Sequence, residues 1–294
     1  MLGFDLDVAG FINPIINFLR EILGGPLRVF SNVIETVFEI AVDAILMAPP
    51  ILVIAVLGLL LWRTGGWRLG LGSAVALAVI GFMGLWPTAV DTIVLVLLAT
   101  LAALAVAIPI GVLMGISDRA ALVIRPVLDL MQTMPAFVYL LPAVMFFSVG
   151  KVPAIVATMI WAMPPPVRLT NLGVRGVPSE IHEAADSFGT TRWQLLYKVQ
   201  IPLAMPSIMA GINQCIMMAL SMAVITAMIG GGGLGGVVLR GLGTLDIGQA
   251  FEAGISIVFL AVIMDRTAAS LNRRSEARTR GAAGPAAAGQ KAAA

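Results

Sequence analysis

Long apolar stretches are the feature that most restricts what this chain can fold into. Residues 91–116 read DTIVLVLLATLAALAVAIPIGVLMGI, which exceeds the roughly 20 residues that an α-helix needs to cross a bilayer. Across the chain 59% of residues are hydrophobic and 12% are charged, whereas soluble domains carry about 25% charged residues. We therefore predict an all-α, polytopic membrane protein with about seven transmembrane helices. The predicted spans are residues 42–62, 69–86, 90–117, 130–148, 152–168, 207–230 and 249–266.

Cysteine and histidine are nearly absent, and this limits the chemistry of the chain. Cys215 is the single cysteine and His182 the single histidine, so an intramolecular disulfide and a His–Cys metal cluster are excluded. We expect Cys215 to be a small apolar residue inside a helix and His182 to be a solvated residue in a polar loop. The composition also excludes a DNA-binding domain, a disulfide scaffold and a disordered chain.

The distribution of basic residues predicts the orientation. With seven spans and a cytoplasmic C-terminus, fourteen of the 18 Lys and Arg residues fall on the cytoplasmic side, as the positive-inside rule requires. The remaining four lie outside: Arg20, Arg28, Lys151 and Arg240. The N-terminus is then extracytoplasmic, and its opening MLGFDLDVAG lacks the basic region of a cleaved signal peptide.

Two of the predicted spans, 130–148 and 152–168, are short and rich in proline. Broken helices at membrane depth require cover from protein or from a cavity, so these spans either line a path through the bundle or are merely kinked. Phe137, Tyr139 and Trp161 lie in them. Their rings either face a path, where aromatic faces hold cations, or pack between helices.

Residues 168–206 form the one long polar segment between spans, and the orientation makes it cytoplasmic. Pro178 and Gly189 suit the start and the end of a short helix, whose apolar residues recur at helical spacing. That stripe comprises Ile181, Ala184, Ala185 and Phe188. It packs either on the chain's own membrane helices or in a groove of a cytosolic partner. We predict a second helix from about Arg192, which Pro202 breaks.

This segment carries a motif. Glu183-Ala184-Ala185 is followed after three residues by Gly189, and after nine more by Val199-Gln200-Ile201-Pro202. The pattern resembles the EAA loop of ABC importer permeases, E-A-A, three residues, G, nine residues, I-x-L-P, with Val199 and Ile201 replacing the usual Ile and Leu. The resemblance implies that Glu183, Ala184, Ala185, Gly189 and Pro202 belong to a coupling loop that docks on the ATP-hydrolysing subunit.

A wider resemblance extends over about residues 85–268. Residues 131–174, 201–214 and 230–248 are similar to the permease subunit of glycine betaine/proline-type osmoprotectant importers. The resemblance implies a type I importer fold of the MetI-like kind, in a bacterial plasma (inner) membrane. It also implies a permease homodimer, a cytosolic ATPase dimer that uses ATP and Mg, and an extracytoplasmic substrate-binding protein. Within that subfamily the solutes include glycine betaine, proline betaine, choline and carnitine, and another amino-acid-like solute remains an alternative.

The resulting domain organisation has four parts. Residues 1–41 form an extracytoplasmic amphipathic segment, 42–86 two accessory helices, 87–268 the permease core with its coupling loop at 168–206, and 269–294 a disordered basic tail. Lipid surrounds the spans, and nothing indicates a nucleic-acid partner.

The glycine run at residues 230–236 is not a nucleotide loop, because it lacks the Lys-Ser/Thr ending of a phosphate loop. It is predicted to lie outside the cell, where Gly231, Gly232, Gly233 and Gly235 form either a flexible outer gate or docking surface, or a plain re-entrant turn. We therefore expect no cofactor on this chain and no enzymatic activity, with ATP hydrolysis on a separate subunit.

Two rival classes fit less well. An ion-coupled secondary transporter usually keeps ionisable residues at mid-membrane, whereas the acidic residues here lie at predicted span ends. Glu252, near the start of the last span, comes closest to an exception. An intramembrane enzyme would need a nucleophile–base pair or a metal set, and the spans contain neither.

Overall fold

The structure, a computed structural model, describes residues 8–283, with side chains described at 10, 14 and 18 and from 21 to 270 except Asp186. Within that part of the chain the architecture is all-α, without a strand. The first seven helices are α1 (Val8–Leu46), α2 (Pro50–Gly65), α3 (Trp67–Phe82), α4 (Trp86–Ile116), α5 (Asp118–Thr133), α6 (Leu140–Phe147) and α7 (Lys151–Ala162). The next six are α8 (Pro164–Arg175), α9 (Ser179–Ser187), α10 (Arg192–Leu195), α11 (Ile201–Ile225), α12 (Gly233–Thr244) and α13 (Ile247–Ala283).

All seven predicted apolar segments are largely helical, and the described residues form four to six candidate spans where about seven were predicted. In the described residues four helical stretches are long and apolar enough to cross a membrane: Trp86–Ile116, Lys151–Arg175, Arg192–Ile229 and Ile247–Ser270. Two further pairs qualify only when taken together, Glu21–Leu46 with Pro50–Gly65 and Asp118–Thr133 with Ala136–Phe147, bent by 98° and 110°. The helix α3 is apolar but only 16 residues long.

Prolines explain both sharp bends. Residues 42–46 continue α1, and the turn before α2 falls at the Pro49–Pro50 pair, inside the predicted span 42–62. The second bend comes at Met134–Pro135, where Met134 has the extended ψ of 132°. A proline lacks the N–H that a helix needs and pushes the residue before it out of the helical region.

The helix α4 is the centre of the bundle and packs against α7, α8, α11 and α12. Its buried face consists of small residues, because Ala99, Ala103 and Ala107 are fully buried. At Gly111 an added Cβ would lie 2.7 Å from the carbonyl oxygen of Val167. Small side chains let helix backbones approach closely inside a membrane, so this stripe positions α8 against α4.

The polar segment is shorter than predicted, because α8 extends to Arg175 and the next long helix begins at Arg192. Pro202 does not break that helix. Residues Leu196–Gln200 form a π-type turn in which the Ile201 N–H bonds to the Leu196 carbonyl. The turn widens the helix at the point where Pro202 offers no donor, and the helix continues into α11. Such bulges are rare and often occur at functional sites.

Candidate coupling surface and outer glycine turn

The helix α9 occupies the middle of the predicted coupling loop. Glu180 lies in its first turn, where the helix dipole favours a carboxylate. At its end Gly189 has a φ of +72°, and the Thr190 N–H donates to the Ala185 carbonyl at 3.1 Å. This is the Schellman arrangement, which needs a residue that tolerates positive φ. The predicted terminating role of Gly189 is confirmed.

The apolar side of α9 is not packed into the bundle. Phe188 is 91% exposed, Ala184 is exposed and Ile181 is half-buried. The helix has no extensive contact with any other described helix. The sequence left two arrangements possible for this apolar stripe, packing on the chain's own membrane helices or in a groove of a partner. The structure does not show the first of them.

Two more aromatic residues are exposed just beyond α9. Trp193 and Tyr197 are 68% and 63% exposed, and their rings stack at 6.0 Å with an interplanar angle of 15°. We call Phe188, Trp193 and Tyr197 the exposed aromatic surface. Large apolar side chains left in water commonly mark an interaction site. The sequence did contain Trp193 and Tyr197 one helical turn apart, the spacing that brings two rings to one face.

His182 is not simply solvated, and this corrects the expectation. It is half-buried, its Nε2 lies 2.8 Å from Nε2 of Gln200 and its Nδ1 lies 3.0 Å from the Pro178 carbonyl oxygen. Both ring nitrogens of His182 have a hydrogen-bonding partner. His182 therefore connects α9 to Gln200, inside the second half of the motif.

Arginines connect the segment preceding α9 to the membrane helices. Arg175 donates from Nε and Nη2 to the Met114 carbonyl at 3.1 and 2.7 Å, and its Nη1 lies 2.6 Å from Oδ1 of Asp118. Arg168 pairs with Asp129 at 2.5 Å. The last carbonyl groups of an α-helix have no hydrogen-bond donor within the helix, and the Arg175 guanidinium supplies one at the carboxyl end of α4. Sequence reasoning counted both arginines only toward orientation and missed these contacts.

The three candidate path residues do not form one group. Tyr139 and Trp161 pack edge to face at 5.6 Å, whereas Phe137 is exposed and outside this pair. Tyr139 is 6% exposed, and its hydroxyl donates to the Met131 carbonyl. Tyr139 therefore packs between helices in this structure. A path role for Phe137, Tyr139 and Trp161 stays a prediction.

The glycine run forms a turn at residues 230–232 and the first turn of α12 at residues 233–236, and we call residues 230–236 the glycine turn. Gly231, Gly233 and Gly235 are buried and Gly232 is half-buried. An added Cβ at Gly233 would lie 2.4 Å from Oγ1 of Thr92, and the Leu234 N–H donates to that same oxygen at 2.8 Å. The turn is therefore closely packed, and a gating role for these glycines stays a prediction.

An ion pair adjoins the glycine turn. Lys151 Nζ lies 2.7 Å from Oδ2 of Asp91 and 4.8 Å from the centre of the Phe38 ring. An added Cβ at Gly232 would lie 2.8 Å from the same Nζ. Side chains of α1, α4 and α7 thus meet beside the turn. The sequence offered no signal for this pair, because its members are 60 residues apart.

The remaining candidate groups are simple to place. Cys215 is fully buried in α11, as predicted. Among the side chains that the structure describes, no three His, Cys, Asp or Glu residues come together as a metal-binding group would require.

Comparison with known proteins identifies the relatives of this chain. Residues 107–280 match the model of the family described as binding-protein-dependent transport system inner membrane component. The chain is 45% identical to the glycine betaine/proline betaine transport system permease protein ProW of Escherichia coli K12, over 95% of this chain and 77% of that protein. It is 44% identical to the glycine betaine/carnitine transport permease protein GbuB of Listeria monocytogenes, over 92% and 97%. It is 38% identical to the glycine betaine transport system permease protein OpuAB of Bacillus subtilis, over 93% and 97%.

A solved structure shares the fold. A chain of the MetNI methionine ABC transporter, in an inward-facing conformation, aligns with a TM-score of 0.60 at 19% identity, covering 65% of this chain and 95% of that one. At this level of identity the match shows the fold, and the predicted MetI-like architecture is confirmed.

Proposed function

The chain belongs to the family of inner-membrane components of binding-protein-dependent transport systems, and on that premise we propose that it is the permease subunit of an ATP-driven importer of glycine betaine. The family implies a separate ATPase and a substrate-binding protein as partners. Glycine betaine occurs in the names of all three relatives described above, each of which is at least 38% identical. Nothing favours the ion-coupled secondary transporter.

The observation that carries the coupling mechanism is the exposure of α9. Its motif residues Glu183 and Ala184 are exposed, and Phe188 projects almost completely into solvent. Burying the Phe188 side chain in a groove on a partner stabilises the contact by about 1.5–3 kcal/mol. We infer that α9 and the exposed aromatic surface together dock on the ATPase, so that closure of the ATPase dimer moves α9.

The movement would reach the membrane helices by two routes. His182 and Gln200 connect α9 forward to α11, and Arg175 connects the preceding helix α8 to the end of α4. At its other end α4 contacts the glycine turn through Thr92. A movement of α4 caused by α9 can therefore be transmitted to the glycine turn on the opposite side of the membrane. In this proposal two permease copies, related as a homodimer, rock between inward-facing and outward-facing states.

The orientation belongs to the same proposal. Coupling by α9 requires that this helix be cytoplasmic, with the C-terminus on the same side and the glycine turn outside. A reporter fused after Ala294 should then be active only in the cytoplasm.

The function is tested with labelled glycine betaine in cells that express the complete system and lack other uptake routes. We expect wild-type uptake that excess unlabelled glycine betaine abolishes, and a loss of about tenfold or more for Phe188→Ala, the scale of removing one anchoring aromatic from an interface. Phe82→Ala is the matched control, because Phe82 is 92% exposed at the opposite end of the bundle.

Three results decide the matter. Uptake that is normal in Phe188→Ala, with the ATPase still bound, contradicts docking through α9. Equal loss in Phe82→Ala contradicts a specific role for Phe188. Absence of glycine betaine uptake in the wild type, with uptake of labelled choline or carnitine instead, contradicts the proposed solute, and docking through α9 is then tested by the loss of that uptake in Phe188→Ala.

A further inference from the structure

A groove runs along the side of the molecule between α3 and α13. Its volume is about 1000 Å³. Leu71, Val75, Val258 and Val262, which line it, are all exposed in this chain, so the groove opens sideways. We call it the lateral groove. It is separate from α9 and from the glycine turn.

Two contacts fix how the walls of the lateral groove align. An added Cβ at Gly65, just before α3, would lie 3.2 Å from Cβ of Ser270. At the other end of α3, the Ser256 hydroxyl lies 3.8 Å from the sulfur of Met83. The helices α3 and α13 are therefore antiparallel, and Arg68 and Arg266 lie at the same end.

The lining changes character along its length. Trp67, Arg68 and Arg266 lie at one end, and the walls from Leu71 to Val79 and from Val258 to Ile263 are almost wholly apolar. From Arg68 to Val79 a helix rises about 16 Å, close to the depth of one leaflet, which is half of the roughly 30 Å hydrocarbon core. The basic end is the one that the Lys/Arg distribution assigns to the cytoplasm.

The charges at the basic end are not neutralised within the described residues. No Asp or Glu lines the groove, and the ion pairs found among described side chains involve neither Arg68 nor Arg266. Asp265, next to Arg266 in sequence, instead lies 3.5 Å from Nδ2 of Asn213. Arg68 lies over the Trp67 ring at 5.6 Å, which holds its guanidinium at the mouth of the groove.

One polar side chain in the apolar part also has no hydrogen-bond partner among the described residues. Ser73 lines the groove and is 2% exposed, and its hydroxyl makes no hydrogen bond to any described residue. A buried hydroxyl usually has a partner, so the groove contains hydrogen-bonding capacity beyond its basic end.

We propose that the lateral groove binds a phospholipid with an anionic headgroup from the cytoplasmic leaflet. The guanidinium groups of Arg68 and Arg266 bind the phosphate through charge-assisted hydrogen bonds, and an acyl chain lies along the apolar walls. Basic pockets between transmembrane helices on the cytoplasmic side are known to suit acidic lipid headgroups. A small soluble anion would leave the apolar length unused, and a zwitterionic lipid, whose phosphate is balanced by its own cationic group, would leave the charge of the two arginines uncompensated.

The test measures lipid binding to the purified full chain by native mass spectrometry. The probes are palmitoyl-oleoyl phosphatidylglycerol and palmitoyl-oleoyl phosphatidylcholine, which share acyl chains and differ in net charge. We expect the wild type to prefer phosphatidylglycerol. Arg68→Gln with Arg266→Gln should weaken its binding about tenfold, the scale of one lost hydrogen bond to a charged group.

Two further variants separate the parts of the site. Arg119→Gln with Arg125→Gln removes the same charge from exposed positions on α5 and should leave binding within about twofold, since surface charges act weakly at a distance in salt. Val262→Trp keeps both arginines and fills the groove, and it should displace both lipids.

Each other result overturns the proposal. Equal affinity for the two lipids would show that the groove does not recognise the negative charge of the headgroup. An equal loss of phosphatidylglycerol binding in the α5 variant would show that the overall positive charge of the protein, and not the groove, causes the preference. Unchanged phosphatidylglycerol binding in Val262→Trp places the lipid elsewhere. A dimer mass that the groove variants abolish, without lipid adducts in the wild type, identifies a second copy of the chain as the occupant.

Discussion

The two ends of the helical bundle use glycine at positive φ for opposite purposes. At the end of α9, Gly189 has a φ of +72° and an added Cβ would meet no atom within 4 Å. In the glycine turn, Gly233 has a φ of +60° and an added Cβ would collide with Thr92. The first glycine lets the chain reverse direction in open solvent, and the second lets the start of α12 pack directly against Thr92 of α4.

The side chains around the two glycines differ in the same way, exposed beside Gly189 and packed beside Gly233. Beside Gly189 an aromatic residue is left in solvent, whereas beside Gly233 a lysine and an aspartate satisfy each other within the chain. The comparison teaches that the α9 end leaves apolar side chains in solvent, whereas the glycine turn packs against side chains of the same chain. Substitutions should therefore affect transport alone at one end and folding at the other.

The largest effect is expected at the glycine turn. Gly233→Ala should lower the free energy of unfolding by about 2–4 kcal/mol, because it adds left-handed strain to an overpacked site. Thermal unfolding of the detergent-solubilised chain measures it. Gly236→Ala, in the same turn but with open space at its Cβ, is the control, and equal destabilisation by the two variants would show that close packing is not the cause.

A smaller effect, confined to transport, is expected at Gly189. Gly189→Ala should lower uptake about fivefold, because left-handed strain of about 1 kcal/mol disfavours the native end of α9. It should change thermal unfolding of the bundle little, because α9 makes no extensive contact with the other described helices and can rearrange locally. Gly189→Asn should retain more uptake, since Asn tolerates this conformation. If Asn and Ala are equally damaging, a missing contact with the ATPase explains the loss better than backbone strain.

The smallest effect is expected at the hydrogen bond between His182 and Gln200. Removing a half-exposed hydrogen bond costs about 0.5–1.5 kcal/mol or less, so His182→Ala should lower the solute moved per ATP hydrolysed about twofold. The double variant with Gln200→Ala should be no worse than either single variant, because both remove one contact.

Ser187→Ala is the control for that pair, since the Ser187 hydroxyl donates to the Glu183 carbonyl within the same helix. The ratio is measured in proteoliposomes that contain the complete transporter. Additive losses from His182→Ala and Gln200→Ala would refute the connection from α9 to α11.

Much of the fold was predictable from the sequence because the membrane makes apolar length decisive. The span predicted at 90–117 corresponds to α4, and the one at 249–266 lies within α13. Prolines were harder to interpret. Pro164 begins α8 without ending the span and Pro202 sits beside a π-type turn, whereas Pro135 accompanies a bend of 110°. Whether a proline begins, bends or is accommodated in a helix depends on how far it lies from the helix start and on how the neighbouring helices pack. The residues next to the proline in sequence do not reveal either property.

The coupling loop was predictable as a pattern but not as a surface. The spacing from Glu183 to Pro202 identified the segment, and the helical period placed Phe188 on an apolar stripe. Whether that stripe was buried remained open, because an amphipathic helix has the same period against its own chain or against a partner. His182 was misjudged for a related reason, since its partner Gln200 is 18 residues away.

The sequence by itself determined that this chain crosses a membrane, which segments are helical and where the coupling motif lies, because apolar length, helical period and motif spacing are local properties. Only the tertiary structure decided that α9 is exposed, that the glycine turn is packed on Thr92, that Lys151 meets Asp91 and that two arginines flank one groove. Each of those depends on which residues distant in sequence become neighbours, and that follows from how the helices bend and pack.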